Sequence, residues 1–410
     1  MPGLPQITAT FLIVTPLFLG GARQEAEGFR LASLKGALRF WWRALNYPAI
    51  FEHEGSRAGA LAALRRDEIA LFGDTGSQGQ VLMRLEPRLT PLRRMEAGTV
   101  LKGADNRVVG PGARYLGYGL MGAFGKDEGK LSRSCLQPGQ GVAVTFAFRT
   151  GLPEKAVKGF VDALTLFGLV GGLGSRARRG WGSMALVRLE GDNANGWTPP
   201  TTVQAYAAEI ARVVAGVDRG EAEPPFTAFG PGARIDLLGT AGDGLTALNA
   251  MGEAMQRYRA WGHNGRIGNG LESERNFKDD HDWSKDPFST KWRDYVPQRI
   301  VFGLPQNYGK GFGVAPATPR MDRRASPLLL HVHPLGAGLL AEVGLLLPAV
   351  FLPGARNEVA VTQKGSTKPR RARIDWTVLE RFLDGPADPA RRKALGPYFP
   401  ERTPLLLGRR

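Results

Sequence analysis

Apolar and β-branched residues crowd the stretch QITATFLIVTPLF (6–18), which is broken by Pro16 and followed by Gly20–Gly21. That pattern predicts a strand. SLKGALRFWWRALNY (33–47) follows with helical period, and QVLMRLEPRL (80–89) alternates as a strand. RVVGPGARYLGYGLMGAF (107–124) is glycine-rich, with aromatics at strand-like spacing. GVAVTFAFRTG (141–151) predicts a strand, and the segment 152–172 a helix that begins near Pro153 and ends on glycines. SMALVRLE (183–190) reads as a closing strand. This order is the ferredoxin-like β-α-β-β-α-β plan, an antiparallel sheet with helices on one face. EGDNANGWTPP (190–200) then reads as a linker.

The second half repeats the plan less clearly. Strands are expected in 226–239, 297–304, 323–335 and 339–352, and helices in 244–261 and 375–385. Residues 262–298 are polar and aperiodic, an insertion or large loop. No tandem repeat of fixed period occurs at the residue level. The expected fold class is therefore α+β, with two ferredoxin-like domains, residues 1–195 and 196–410, the second carrying the polar insertion.

On a helical wheel of about 100° per residue, Leu34, Leu38, Trp41 and Leu45 share one arc, which marks the core face. Lys35, Arg39 and Arg43 fall on the far side, with Trp42 between the faces. No acidic residue sits among the three cations, so pairing within the helix does not account for them. Ser33 and Gly36 leave room for an anion near the helix start, where backbone N–H groups point outward. Gly20–Gly21 lies just upstream with Arg23 and Arg30.

GGLGSRARRGWGS (171–183) is the second basic element. Arginines this close repel one another unless an anion lies between them. The loop follows a helix and leads into a strand, the reverse of a Rossmann loop, and the chain has no Walker motif. The reading is that Gly171, Gly172 and Gly174 let backbone N–H groups wrap an extended phosphate backbone. Arg176, Arg178 and Arg179 then contact phosphates, and Trp181 stacks on a base.

Composition points the same way. The formal net charge is +16, which favours nucleic acid or another anionic surface as partner. With 43 % hydrophobic residues the chain is suited to real cores. The single cysteine, Cys135, excludes an intrachain disulfide and a cysteine-based zinc site. No metal or cofactor is expected. The apolar run near the N-terminus has no basic flank and is broken by Pro16 and Gly20, so it reads as a strand rather than a signal peptide or membrane span. A cytoplasmic protein is expected.

A glycine- and arginine-rich loop before the last strand of a ferredoxin-like domain resembles the RAMP proteins of CRISPR systems. TPLFLGG (15–21) followed by SLKGALRFWWRAL (33–45) resembles one subgroup, the first RAMP subunit of the Cmr complex, the type III-B CRISPR effector of antiviral defence. LFG (71–73), YLGYG (115–119) and RRASPLLL (323–330) are similar to that family as well. The resemblance implies two RAMP domains and a seat among other Cmr RAMP subunits. It implies contact with CRISPR RNA, target RNA or both near the guide's 3′ region, and a binding role rather than a cleaving one. The RNA-contacting set expected from both arguments is Arg23, Arg30, Lys35, Arg39, Trp42, Arg43, Gly171, Gly172, Gly174, Arg176, Arg178, Arg179 and Trp181.

The alternative is a RAMP-superfamily RNA endonuclease. Metal-free RNA cleavage needs a general acid and base, often histidine. His331 and His333 alternate on one expected strand and read as surface or edge residues. KDDHDW (278–283) gathers Asp279, Asp280, His281 and Asp282, but consecutive residues in a polar loop cannot all face one ion, so the run reads as solvated.

Overall fold

The computed structural model describes residues 3–21, 25–87, 91–267, 270–309, 311–318, 321–354, 357–385 and 397–408. The first half contains β1 (Gln6–Ile13), α1 (Leu31–Glu54), α2 (Arg57–Phe72), β2 (Val81–Leu85), β3 (Arg94–Met95), α3 (Pro111–Leu116), β4 (Cys135–Leu136), β5 (Gly141–Phe148), α4 (Glu154–Val170) and β6 (Met184–Gly191). Its main sheet has the order β2-β5-β1-β6, with every neighbouring pair antiparallel. Along β1 every second residue is buried, and Ile7, Ala9, Phe11 and Ile13 enter the core. Leu34, Leu38, Trp41 and Leu45 of α1 meet the same core, so the wheel assignment of that face holds. Cys135 is buried, which pushes its thiol pKa up to about 12.

The second half contains α5 (Val203–Val213), β7 (Arg234–Ala241), α6 (Gly244–Arg259), α7 (Lys278–Trp283), β8 (Gln306–Gly309), β9 (Phe312–Pro316), β10 (Leu328–Pro334), β11 (Leu340–Leu346), β12 (Glu358–Gln363), β13 (Ser366–Arg371), α8 (Thr377–Asp384) and β14 (Thr403–Leu407). The order β10-β11-β7-β14 repeats that of the first sheet, since both read second, third, first, fourth strand of their plan. The segments before β10 and after β11 together form a further antiparallel sheet, β13-β12-β9-β8, which the hydrophobic pattern did not predict.

Two expectations are corrected. Residues 107–124 do not form a strand: Pro111 starts the short helix α3, whose glycines let it cross α6 at close range. A Cβ on Gly112 would stand 2.1 Å from the Asn249 carbonyl oxygen. Residues 297–304 hold a 3₁₀ helix (Gln298–Phe302), not a strand. Residues 190–200, read as a linker, lead from β6 to α5, and Trp197 Nε1 there donates to Glu209 Oε1 at 2.8 Å.

The edge strand β10 does not face solvent along its free side. Leu330 N donates to Arg178 O at 3.0 Å and Val332 N to Ser183 Oγ at 3.1 Å. The glycine loop of the first half thereby caps an edge of the second sheet, which removes an unpaired row of backbone groups.

Candidate nucleic-acid interface

The loop joining α4 to β6 is folded tightly on the chain after β1. Gly182 has φ +66°, and a Cβ there would stand 2.2 Å from Leu173 O. Gly174 has φ +80° and leaves only 2.5 Å between such a Cβ and Phe18 O. These glycines are required by close backbone packing and by the left-handed region. The N–H groups of Gly171, Leu173, Ser175, Ala177, Arg179, Gly180 and Gly182 all donate to protein carbonyls. Wrapping of a phosphate backbone by those loop amides is therefore corrected: they are spent within the protein, Gly171 is buried, and the arginine side chains remain.

Those side chains diverge. Arg176, itself at φ +64°, is exposed and donates through Nε to Tyr118 O at 3.0 Å. Arg178 donates to Ser326 O at 2.9 Å, and its guanidinium carbon lies 5.2 Å from the Phe40 ring centroid. Arg179 turns toward Tyr115 and the end of α6. Burial lowers the guanidinium pKa of all three, that of Arg178 to about 10, and neighbouring arginines add to the effect. An arginine stays protonated at neutral pH. Positive charge is thus held in partly buried surroundings, which an arriving anion would stabilise.

A cleft of about 430 Å³ gathers Arg178 with Phe40 and Arg43 of α1, and with Arg324 and Phe351 from the second half. Among the described residues no acidic side chain lines it. Arg324 donates to Val350 O at 3.1 Å, while its Nε is buried without a hydrogen bond. The structure thus brings the glycine loop and the first helix together, and adds Arg324, which lies in the RRASPLLL segment.

The far side of α1 is less free than its sequence implies. Glu68 of α2 accepts from Arg39 Nε at 2.6 Å and from Arg43 Nη1 at 2.7 Å, and its side chain is only 8 % exposed. The pairing carboxylate comes from α2 rather than from α1 itself, so spacing within α1 gives no sign of it. Lys35 is half-buried with no ion pair among the described residues, and Arg30 donates to Gly20 O at 2.8 Å. Arg23 lies outside the described residues.

Both candidate tryptophans are corrected. Trp181 is fully buried, edge-on to Phe18 with centroids 5.8 Å apart, and Gly117 leaves room for its indole. Trp42 is 4 % exposed and packs against Phe72. Neither ring is available to a base. The exposed aromatics are Tyr118 (67 %) and Phe124 (78 %), and Tyr118 stands beside Arg176. The YLGYG segment carried that residue, but period alone could not separate it from Tyr115.

His331 and His333 lie on an edge strand as read, but they are buried rather than on the surface. Each ring has a backbone hydrogen bond to the first half, His331 with Gly171 and His333 with Gly168. Burial drives both pKa values down, that of His333 to about 3. The acidic run is the short helix α7 rather than a solvated loop. Asp280 is buried and accepts from Tyr295 Oη at 2.6 Å, Gln298 N at 2.8 Å and Arg299 Nε at 2.8 Å. Asp282 is paired with Lys278 and Lys285. Among the described residues, no group of three or more His, Cys, Asp or Glu is placed to hold a metal, and no helix is long and apolar enough to cross a membrane.

The chain is α+β, with a glycine–arginine loop feeding the last strand of its first sheet. Residues 10–185 match the model of the RAMP superfamily. Its relatives are more particular. It is 24 % identical over 372 residues to the CRISPR system Cmr subunit Cmr1-1 of Pyrococcus furiosus, covering 88 % of each chain. It is 24 % identical over 187 residues to Cmr1-2 of the same organism, covering 43 % of this chain and 92 % of that one. The crystal structure of apo Cmr1 from P. furiosus shares the fold, with TM-score 0.52 and 18 % identity, covering 98 % of this chain and 99 % of that one. A chain of the type III-B Cmr-β structure with cognate target RNA also shares it, with TM-score 0.51 and 10 % identity, covering 93 % and 98 %.

Proposed function

We propose that this chain is an RNA-binding structural subunit of a type III-B CRISPR effector complex in the cytoplasm. It contacts CRISPR RNA, target RNA or both near the guide's 3′ region, beside other Cmr RAMP subunits. The observation that carries the reading is the convergence of Arg43, Arg178 and Arg324 on one cleft without an acidic lining. Similarity to Cmr1 subunits over most of the chain supports the complex, and a Cmr structure with target RNA supports the ligand class. Arginines in such a cleft contact phosphates, which position a strand without reading its sequence. Arg176 and Arg179 of the loop and Lys35 and Arg30 of α1 and its approach complete the proposed contact set, with Arg23, which lies outside the described residues.

The test is incubation of the purified chain with labelled single-stranded RNA, with and without Mg²⁺. Retardation without cleavage, similar for unrelated sequences and weakening steeply with salt, is the expected result. Cleavage would replace this reading with the endonuclease alternative.

A further inference from the structure

We infer that the cluster of Arg179, Arg259 and Tyr115 is a phosphate site separate from the Arg178 cleft, holding one phosphoryl group through two guanidiniums and the Tyr115 hydroxyl. Arg179 comes from the glycine loop, Tyr115 from the insertion between β2 and β5, and Arg259 from the last turn of α6. Arg259 Nη1 donates to Tyr115 Oη at 2.7 Å, and the Arg179 guanidinium lies near the same hydroxyl. Two guanidiniums thus flank one hydroxyl.

Neither arginine has a carboxylate partner among the described residues. The nearby acid, Asp280, is engaged by Arg299, Tyr295 and the Gln298 amide, and Arg299 in turn donates to Arg259 O at 3.1 Å. Arg259 stacks on Phe302 with its guanidinium carbon 4.5 Å from the ring centroid, which fixes the plane of the fork. Its Nε is buried and makes no hydrogen bond. Burial lowers the pKa of both arginines; like charge from Arg179 adds to the effect on Arg259, and that from Arg176 to the effect on Arg179. Paired forks without a carboxylate suit a tetrahedral oxyanion, because planar guanidinium donors match phosphate oxygens two at a time.

The inference rests on the RNA-binding reading only for the source of the phosphate. The probe is therefore inorganic phosphate first and an oligoribonucleotide second, on the full chain. Phosphate should raise the melting temperature of the wild type and of Arg178→Gln alike, since a ligand that binds only the native state stabilises it. Arg179→Gln should abolish most of that rise, and Arg259→Lys should weaken phosphate at least tenfold by removing the fork. Tyr115→Phe keeps the ring and the fold and should weaken phosphate severalfold, which guards against a variant that fails to fold. In RNA binding, Arg178→Gln and Arg179→Gln should each lower affinity, independently of one another. A phosphate response unchanged by Arg179→Gln and Tyr115→Phe, or lost only in Arg178→Gln, would overturn the site and leave the proposed function standing. A phosphate response lost in Arg179→Gln, in a chain that binds no RNA, would confirm the site and sink the RNA reading.

Discussion

The guanidinium of Arg178 lies over the ring of Phe40, its carbon 5.2 Å from the centroid, and so joins the glycine loop to the first helix. The contact holds a cation at the mouth of a cleft that Arg43 and Arg324 share. Removing Arg178 and Arg324 together by glutamine should lower RNA affinity about equally for unrelated sequences. The slope of log affinity against log salt should flatten by about one to two units, since each single-strand phosphate neutralised contributes about 0.7. Affinity measured at several salt concentrations checks this. An unchanged slope would assign the cleft to protein docking instead.

Glu68 should act as a brake on the basic face of α1. It holds Arg39 and Arg43 through one carboxylate oxygen. Glu68→Gln should cost about 1.5–3 kcal/mol, the range for hydrogen bonds to charged groups. The same change should tighten RNA binding and steepen its salt dependence, because two arginines lose their counter-charge. Leu38→Ala, on the opposite face, should cost about 2–5 kcal/mol without changing the salt slope. Melts and binding isotherms on the two variants separate the faces.

The roles of Trp181 and Tyr118 are distinguished by two substitutions. Trp181→Ala should destabilise by about 3–5 kcal/mol, as removal of a buried aromatic does. Tyr118→Ala, at an exposed position, should leave the melting temperature nearly unchanged and weaken RNA by about 1–3 kcal/mol where a base stacks. The opposite pattern of melts would place Trp181, not Tyr118, against the ligand.

Acid should loosen the junction at β10. His333 has its pKa pushed down to about 3 by burial, and that of His331 is also well below normal. The unfolded chain takes up their protons below about pH 6.5 while the native state does not, so stability falls as pH drops through that value. Glu342 works in the opposite sense: burial, with Glu401 nearby, pushes its pKa up to about 7. Acidification from pH 7 towards its unfolded value near about 4.3 therefore adds stability. Between pH 7.5 and 5.0, His333→Gln should reduce the acid-induced loss by about 2 kcal/mol, whereas Glu342→Gln should enlarge that loss. Urea unfolding at the two pH values reads both.

Much of the fold was legible because it is written at short range. Alternation along β1 and the 3.6-residue period of α1 each mark a buried face from residues close in sequence, and both faces are where the pattern placed them. The same local signals could not show α3, where glycines and Pro111 serve a crossing with α6. They also could not assemble the sheet β13-β12-β9-β8, whose strands come from two segments separated by β10 and β11.

The sequence by itself determined which residues carry charge and which loop gathers it. Only the tertiary structure decided what each of those residues meets. Trp181 is core because Phe18 and Gly117 surround it, Arg39 and Arg43 are restrained because α2 brings Glu68, and three neighbouring arginines reach three different places. Periodicity reports the direction of a side chain from its own segment. Its burial and its partner charge depend on segments tens to hundreds of residues away, and these are set by packing.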